Sequence, residues 1–234
     1  MINILITGAS SDIGFAIADV LSYQPYTKGI GLHYCNNKRV LLNVSKKIEY
    51  FKSDFDSISS FDLIERFLKV FGSIDVLINC AGIISDVSFD KLFVAELNKV
   101  INVNFKIPYL ITKDAFNAMK EKGGKIINIS SNVTTFGMGR NNSIHYAASK
   151  ATLDILTVGL ARMGAEYNIL VNSVSPGVIS TKIQNNRSDL EKRKSLIPLK
   201  RLGTVEDISD MVEYLVSDKG NFITGQIIGV TGGE

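Results

Sequence analysis

"INILITGASSDIGFAIADVL", residues 2–21, is the stretch on which the fold turns. Residues 2–7 form a short, nearly continuous apolar run rich in isoleucine, the pattern of a strand covered on both faces. Gly8 follows, and an amphipathic stretch opens at about Asp12. Strand, glycine turn and helix in this order let Gly8 take a tight turn and Gly14 bring the helix close to a sheet or a ligand. Free amides at the helix start then face a phosphate, with Ser10 and Ser11 as added hydroxyl donors. The string is not G-x-G-x-x-G, because its outer glycines are six apart and the middle one is absent. Taken alone it is also compatible with a purely structural turn. Its place at the first strand–helix junction favours a ligand, since open parallel sheets bind ligands beyond the carboxyl ends of their strands.

The rest of the chain repeats the pattern. Apolar runs at 2–7, 29–34, 48–53, 74–79, 125–130, 169–174 and 226–230 predict strands, and amphipathic stretches near 12–23, 57–71, 89–122, 146–167 and 204–217 predict helices. Such alternation predicts an α/β chain: a Rossmann-type, doubly wound sheet of about seven parallel strands with helices on both faces. The crossover near 36–47 is short for a helix, and Pro108 predicts a break or a kink inside 89–122. At 234 residues, with no linker or repeat, the sequence reads as one dinucleotide-binding domain over 1–234. Residues 182–201 carry seven Lys/Arg against two acids and read as a mobile substrate flap.

Composition narrows the function. A formal net charge of +3 is too weak to argue for nucleic acid. No run reaches the ~18 apolar residues of a membrane helix, and the opening "MINILITGAS" reads as a strand rather than a leader. Cys35 and Cys80 make no disulfide framework, lie in apolar stretches and suit a reducing compartment, so a cytoplasmic location is expected. With only His33 and His145 besides, no metal site is expected.

The second strand bears on cofactor choice. A site for NAD usually carries an acid about 20 residues past the loop, for the ribose hydroxyls. Here that strand ends "LHYCNNKR", residues 32–39, with no acid and with Lys38 and Arg39 just beyond. A carboxylate would repel a 2′-phosphate, whereas amides and cations would hold one. NADP(H) is therefore expected over NAD(H), unless Lys38 and Arg39 are only solvated, which would leave the choice open.

"HYAASK", residues 145–150, sets Tyr146 one helical turn ahead of Lys150, on the same face, with small residues between. A phenol titrates near ~10, and an adjacent ammonium favours its anion. At about 4 Å and an effective dielectric of about 20, that attraction is about 4 kcal/mol before desolvation. The expectation is a phenol lowered by a unit or two, able to protonate an alkoxide. Ser131 ends a central strand, where a hydroxyl can bond a carbonyl. "NCAG" (79–82) and "VSPGVIST" (174–181) close two further strands with glycine or hydroxyl turns.

Together these motifs resemble the short-chain dehydrogenase/reductase family over nearly the whole chain. That family's T-G-x-x-x-G-x-G loop corresponds to Thr7–Gly14 with Asp12 in place of the middle glycine, and its N-N-A-G motif to Asn79–Gly82. The resemblance implies a catalytic tetrad of Asn104, Ser131, Tyr146 and Lys150. Tyr146 would be the acid in reduction, Lys150 would lower its pKa and bond the nicotinamide ribose, Ser131 would polarise the carbonyl, and Asn104 would hold a water serving Lys150. The implied cofactor site comprises Gly8, Ser10, Ser11, Asp12, Ile13, Gly14, Asn36, Asp54 (on the adenine amine), Phe55, Asn79, Ala81, Gly82, Tyr146, Lys150, Pro176, Gly177, Ile179 and Thr181. His145 is expected to be structural.

The tail from 197 onward looks most like the 3-oxoacyl-[acyl-carrier-protein] reductase branch. That likeness implies NADPH-dependent reduction of an acyl thioester ketone, acyl carrier protein as a candidate partner, and a homotetramer or homodimer. The long helices would meet a second copy, with Gly159, Ala161 and Gly164 permitting close contact. The interval from Ser131 to Tyr146 is about two residues longer than is usual in that branch. A dehydrogenase of a sugar or secondary-metabolite alcohol, or a nucleotide-binding protein without turnover, are the competing readings.

Overall fold

The computed structural model describes residues 1–42, 44–56, 62–182 and 190–234. Seven strands form one sheet: β1 (Ile2–Thr7), β2 (Thr27–Tyr34), β3 (Lys47–Lys52), β4 (Val76–Asn79), β5 (Gly124–Ile129), β6 (Ile169–Pro176) and β7 (Ile227–Val230). Their order is β3-β2-β1-β4-β5-β6-β7, with every neighbouring pair parallel. The direction of winding reverses between β1 and β4, and that reversal opens a crevice at their carboxyl ends.

Successive side chains of a strand point to opposite faces, so each strand feeds two cores. Ile4 and Ile6 join Ile17 and Leu21 of α1 (Asp12–Ser22) on one face, while Leu5 joins Leu63 and Phe67 of α2 (Leu63–Phe71) on the other. The first core also takes Ile208, Val212 and Leu215 of α8 (Val205–Val216), and the second takes Ile111 and Phe116 of α4 (Ile107–Met119) and Ala161 of α6 (Ile144–Gly164). Thr204 begins α8 with a capping box: its hydroxyl accepts the Asp207 amide, and Asp207 accepts the Thr204 amide. Among the described residues the remaining α-helices are α3 (Val94–Ile101), the single turn α5 (Val133–Phe136) and α7 (Leu190–Leu196).

The helix predicted over 57–71 is seen as Leu63–Phe71, and residues 57–61 lie outside the described residues. The crossover between β2 and β3 carries no helix among the described residues. Instead of breaking at Pro108, the chain runs from α3 into a π-turn over Asn102–Lys106 and on into α4, with Pro108 in its first turn. A proline lacks an amide and crowds the carbonyl four residues back, so a widened turn before it relieves both problems. Of the flap predicted over 182–201, residues 183–189 lie outside the described residues, and 190–196 form α7. Among the described residues no helix is long and apolar enough to cross a membrane.

Candidate active site

The glycine loop is fixed from three sides. Gly8 has φ +65°, and a Cβ there would stand 2.6 Å from Ala81 Cα, so only glycine lets β1 turn against β4. A Cβ on Gly14 would meet the Gly8 carbonyl oxygen. Thr7 Oγ1 accepts the amides of Cys80 and Ala81, each at 3.1 Å, tying the ends of β1 and β4 together. Ser11 caps α1: its Oγ accepts the Gly14 amide at 3.0 Å and donates to Gly8 O at 2.9 Å. That hydroxyl therefore shapes the loop, and is not the free donor expected from the sequence. As first-turn residues, Asp12 and Ile13 have amides without an intrahelical acceptor.

His33, at the end of β2, is a support the sequence did not reveal. Its Nδ1 accepts the Gly8 amide at 3.1 Å, so Nε2 carries the proton and donates to Ser53 O at 3.0 Å. The ring stacks on Phe55 with centroids 4.2 Å apart. Burial lowers its pKa to about 4, so the ring is neutral near pH 7. Phe55 is thus buried beneath the imidazole, while Asp54 and Asn36 stay exposed beside it.

Tyr146 and Lys150 lie in the first turns of α6, and both are buried. Burial raises the Tyr146 pKa, opposed by a hydrogen bond with the Ser131 side chain, and burial lowers that of Lys150. The expected lysine-driven lowering of the phenol is therefore not what this chain shows. Lys150 Nζ donates to Ile129 O at 2.9 Å; desolvation outweighs the Ser131 hydrogen bond at Tyr146 and the attraction of Cys80 and Asp154 at Lys150. Asn104 is fully buried in the π-turn. Its Oδ1 accepts the Ile83 amide at 2.8 Å, and its Nδ2 donates to Ile83 O and to Ser149 Oγ, each at 3.0 Å. Between them sits Gly82, where a Cβ would stand 3.1 Å from Lys150 Nζ and 3.3 Å from Asn104 Oδ1. Asn104, Ser131, Tyr146, Lys150 and Gly82 thus converge where β4 and β5 end.

Other predicted residues divide. Asn79 turns away: its Nδ2 donates to Thr112 Oγ1 at 2.8 Å and Asn128 Oδ1 at 2.9 Å, and Asn128 continues to Thr157 Oγ1 at 2.8 Å. This is a buried polar ladder between strands and helices, so the Asn79 side chain is structural. Ile179 is buried in the first core, which leaves only its backbone near the crevice. Gly177 donates to Val230 O at 3.0 Å, and Pro176 O accepts the Asn132 amide at 2.9 Å, which fixes the turn that leads to Thr181. Asp12 Oδ1 meets Arg39 Nη1 at 2.9 Å, and its Oδ2 accepts the Lys182 amide at 2.8 Å.

One further residue escaped the sequence reading. A Cβ on Gly139 would stand 2.8 Å from Tyr146 Cδ1, so this glycine lies against the phenol ring. His145 is buried with Nε2 2.7 Å from Ser85 Oγ, in keeping with a structural role. The longer interval before Tyr146 is taken up by a turn in which Asn141 and Asn142 have positive φ. That segment leaves Phe136, Met138 and Ile144 exposed.

Comparison with known proteins agrees with this geometry. The family model described as enoyl-(acyl carrier protein) reductase matches residues 8–234. A 3-oxoacyl-[acyl-carrier-protein] reductase FabG from Buchnera aphidicola is 36% identical, covering 98% of this chain and 95% of the relative. A mutant of a Serratia marcescens short-chain dehydrogenase/reductase superposes with a TM-score of 0.90 at 25% identity, covering 99% of this chain and 96% of that one. A Burkholderia cenocepacia short chain dehydrogenase in complex with NADP gives 0.88 at 26% identity, covering 98% and 96%. A strand–glycine–helix loop, a buried tyrosine one turn ahead of a lysine and near full-length likeness lead to one conclusion: this chain is an oxidoreductase of the short-chain dehydrogenase/reductase family.

Proposed function

We propose that this chain reduces a 3-oxoacyl thioester, carried on acyl carrier protein, to the 3-hydroxyacyl thioester with NADPH. The observation that carries the reading is Tyr146, buried and hydrogen-bonded to Ser131, with Lys150 one turn behind it and Gly82 leaving space beside the ammonium. The substrate is argued from the FabG relatives, and the cofactor from the Burkholderia likeness and the acid-free end of β2.

The residues present fit a dinucleotide. The start of α1 offers amides to a pyrophosphate, and Gly82 leaves room that any side chain would fill. Bound NADPH supplies the hydride. Ser131 donates a hydrogen bond to the substrate carbonyl, and Tyr146 gives its phenolic proton to the same oxygen. A phenol raised by burial holds its proton at neutral pH, which favours reduction, whereas oxidation needs the phenolate and gains from alkali. Lys150, next to the space kept by Gly82, restores the proton, and Asn104 fixes the wall of that space through its bonds to Ile83 and Ser149.

The enzyme works as a homotetramer in this reading. Ile155 and Met163 on α6, and Phe222 and Ile227 near β7, are exposed apolar side chains that a second copy would cover. Of the three small residues expected at the helix contact, Ala161 and Gly164 pack inward, and only Gly159 has nothing within 4 Å of its Cβ position. Light scattering on the purified chain tests the assembly. The test of function is absorbance at 340 nm with NADPH and an acetoacetyl thioester, against a panel of other ketones. Turnover of the thioester is expected, and oxidation of NADPH by sugars alone would reject the reading.

A further inference from the structure

The second crossover puts one cation against the glycine loop, and the loop itself answers that cation. Arg39 lies with its guanidinium carbon 3.9 Å from the centroid of the Phe15 ring, and its Nη1 is 2.9 Å from Asp12 Oδ1 and 3.4 Å from Ser11 O. Asp12 is the first residue of α1, at the position where the family's loop has its middle glycine. The pair is partly buried, with side-chain exposures of 34% for Arg39 and 21% for Asp12. The other carboxylate oxygen accepts the Lys182 amide at 2.8 Å, so Asp12 has a fixed orientation and cannot swing from Arg39 without losing that bond. Among the described residues, the cation that bridges the loop and the end of β2 is therefore already matched by an internal anion.

We propose that Asp12 sets the cofactor selectivity of this enzyme by competing with the 2′-phosphate of NADP(H) for Arg39. The proposal rests on the dinucleotide reading above and deepens its cofactor choice. A 2′-phosphate approaching Arg39 meets the Asp12 carboxylate as a like charge and must displace or share its partner. NADH has no such group and is indifferent to the pair. Asp12 is thus a restraint on NADPH affinity, and the loop glycine it replaces has no counterpart to that restraint. An asparagine at this position removes the charge, yet its amide oxygen still accepts from the Lys182 amide, so the loop geometry is kept.

The experiment is fluorescence titration of the purified full chain with NADPH and with NADH, without substrate, for wild type, Asp12→Asn, Asp12→Ser, Arg39→Met and the Asp12→Asn/Arg39→Met pair. Circular dichroism confirms folding of each. The ratio of NADPH to NADH affinity is expected to rise about fivefold in Asp12→Asn, the size of a partly exposed ion pair released, and to rise in Asp12→Ser. In the double variant the gain disappears, because the cation that receives it is gone. If Arg39→Met weakens NADPH but neither Asp12 variant moves the ratio, the Asp12 inference is overturned while the NADPH reading stands. If wild type prefers NADH and Asp12→Asn turns it toward NADPH, the inference stands and the NADPH reading falls. If no variant changes the ratio, Arg39 is not the phosphate receptor and the inference is overturned.

Discussion

Around Tyr146 the side chains are buried and joined by short hydrogen bonds, whereas in the crossover just past β2 Lys38 is exposed and Arg39 half-buried, held by rings and one carboxylate. Asn104 has three hydrogen bonds of 2.8–3.0 Å, and Lys150 one of 2.9 Å to the Ile129 carbonyl. At the other end, Lys38 lies 3.9 Å from the Tyr50 ring centroid, and the crossover that carries it has no helix among the described residues. The difference has a physical origin. Proton transfer needs groups held within fractions of an ångström in a dry setting, which buried networks supply. Choice between two cofactors differing by one phosphate needs only charge placement, which an exposed loop can alter without unsettling the core.

The largest test of that contrast is Tyr146→Phe. It removes one hydroxyl from the buried end and leaves the adenosine end untouched. Turnover should fall about a thousandfold, the scale of a lost general acid, while NADPH binding by fluorescence titration stays within a few-fold. Joint loss of binding and turnover would mean that the two ends are not separable.

His33 ties the glycine loop to the chain just past β3, so its titration probes the packing beneath that loop. With a folded pKa of about 4 against an ordinary value near 6.5, the unfolded chain binds a proton that the folded chain refuses between those limits. Its contribution is therefore complete above about pH 6.5 and is lost as the pH falls toward 4, by about 3 kcal/mol in all. Thermal melts at pH 7.5 and 5 should show this acid weakening. His33→Asn keeps an acceptor and a donor on an uncharged group, so its melts should lose most of that slope. An unchanged slope would place the acid sensitivity elsewhere.

Gly82→Ala acts at the buried end alone. The added methyl would stand 3.1 Å from Lys150 Nζ and 3.3 Å from Asn104 Oδ1, inside the space that separates them. A loss of about tenfold in kcat is expected with about 1 kcal/mol of stability, the cost of mild overcrowding. Steady-state kinetics beside a denaturant titration separate the two effects, and unaltered kcat would show that the space has no part in turnover.

The same contrast explains what the sequence disclosed. All seven strands were visible as apolar runs, because strands covered on both faces leave continuous Ile and Val, and Tyr146–Lys150 was visible because helical spacing is local. What stayed hidden depends on distant partners. His33 shows its role only when Gly8, Ser53 and Phe55 surround it. Asn79 sits in a motif, yet its side chain is claimed by Thr112 and Asn128, 33 and 49 residues away. The direction of the Tyr146 shift is hidden for a related reason: spacing reveals a neighbouring lysine, but the burial that raises the phenol belongs to the assembled core. Pro108 signals a break or a kink inside 89–122, but the widened turn over Asn102–Lys106 that precedes it leaves no local signature.

The smallest effect is expected at Lys38, and it sharpens the account of the exposed end. Its ammonium is placed over the Tyr50 ring, while Tyr50 Oη accepts the Leu41 amide at 3.1 Å and so holds the ring in place. An exposed cation over a ring gains about 0.5–1 kcal/mol, which a phosphate would have to better in water and salt. Lys38→Met should therefore lower NADPH affinity by no more than about threefold, with NADH unaffected, and the small loss should shrink further as ionic strength rises. Arg39, closer to the glycine loop, should show the larger loss in the same titration. If Lys38→Met instead costs more than Arg39→Met, then the phosphate is held on the Tyr50 side of the crossover, and the carboxylate of Asp12 stands too far from it to govern cofactor choice.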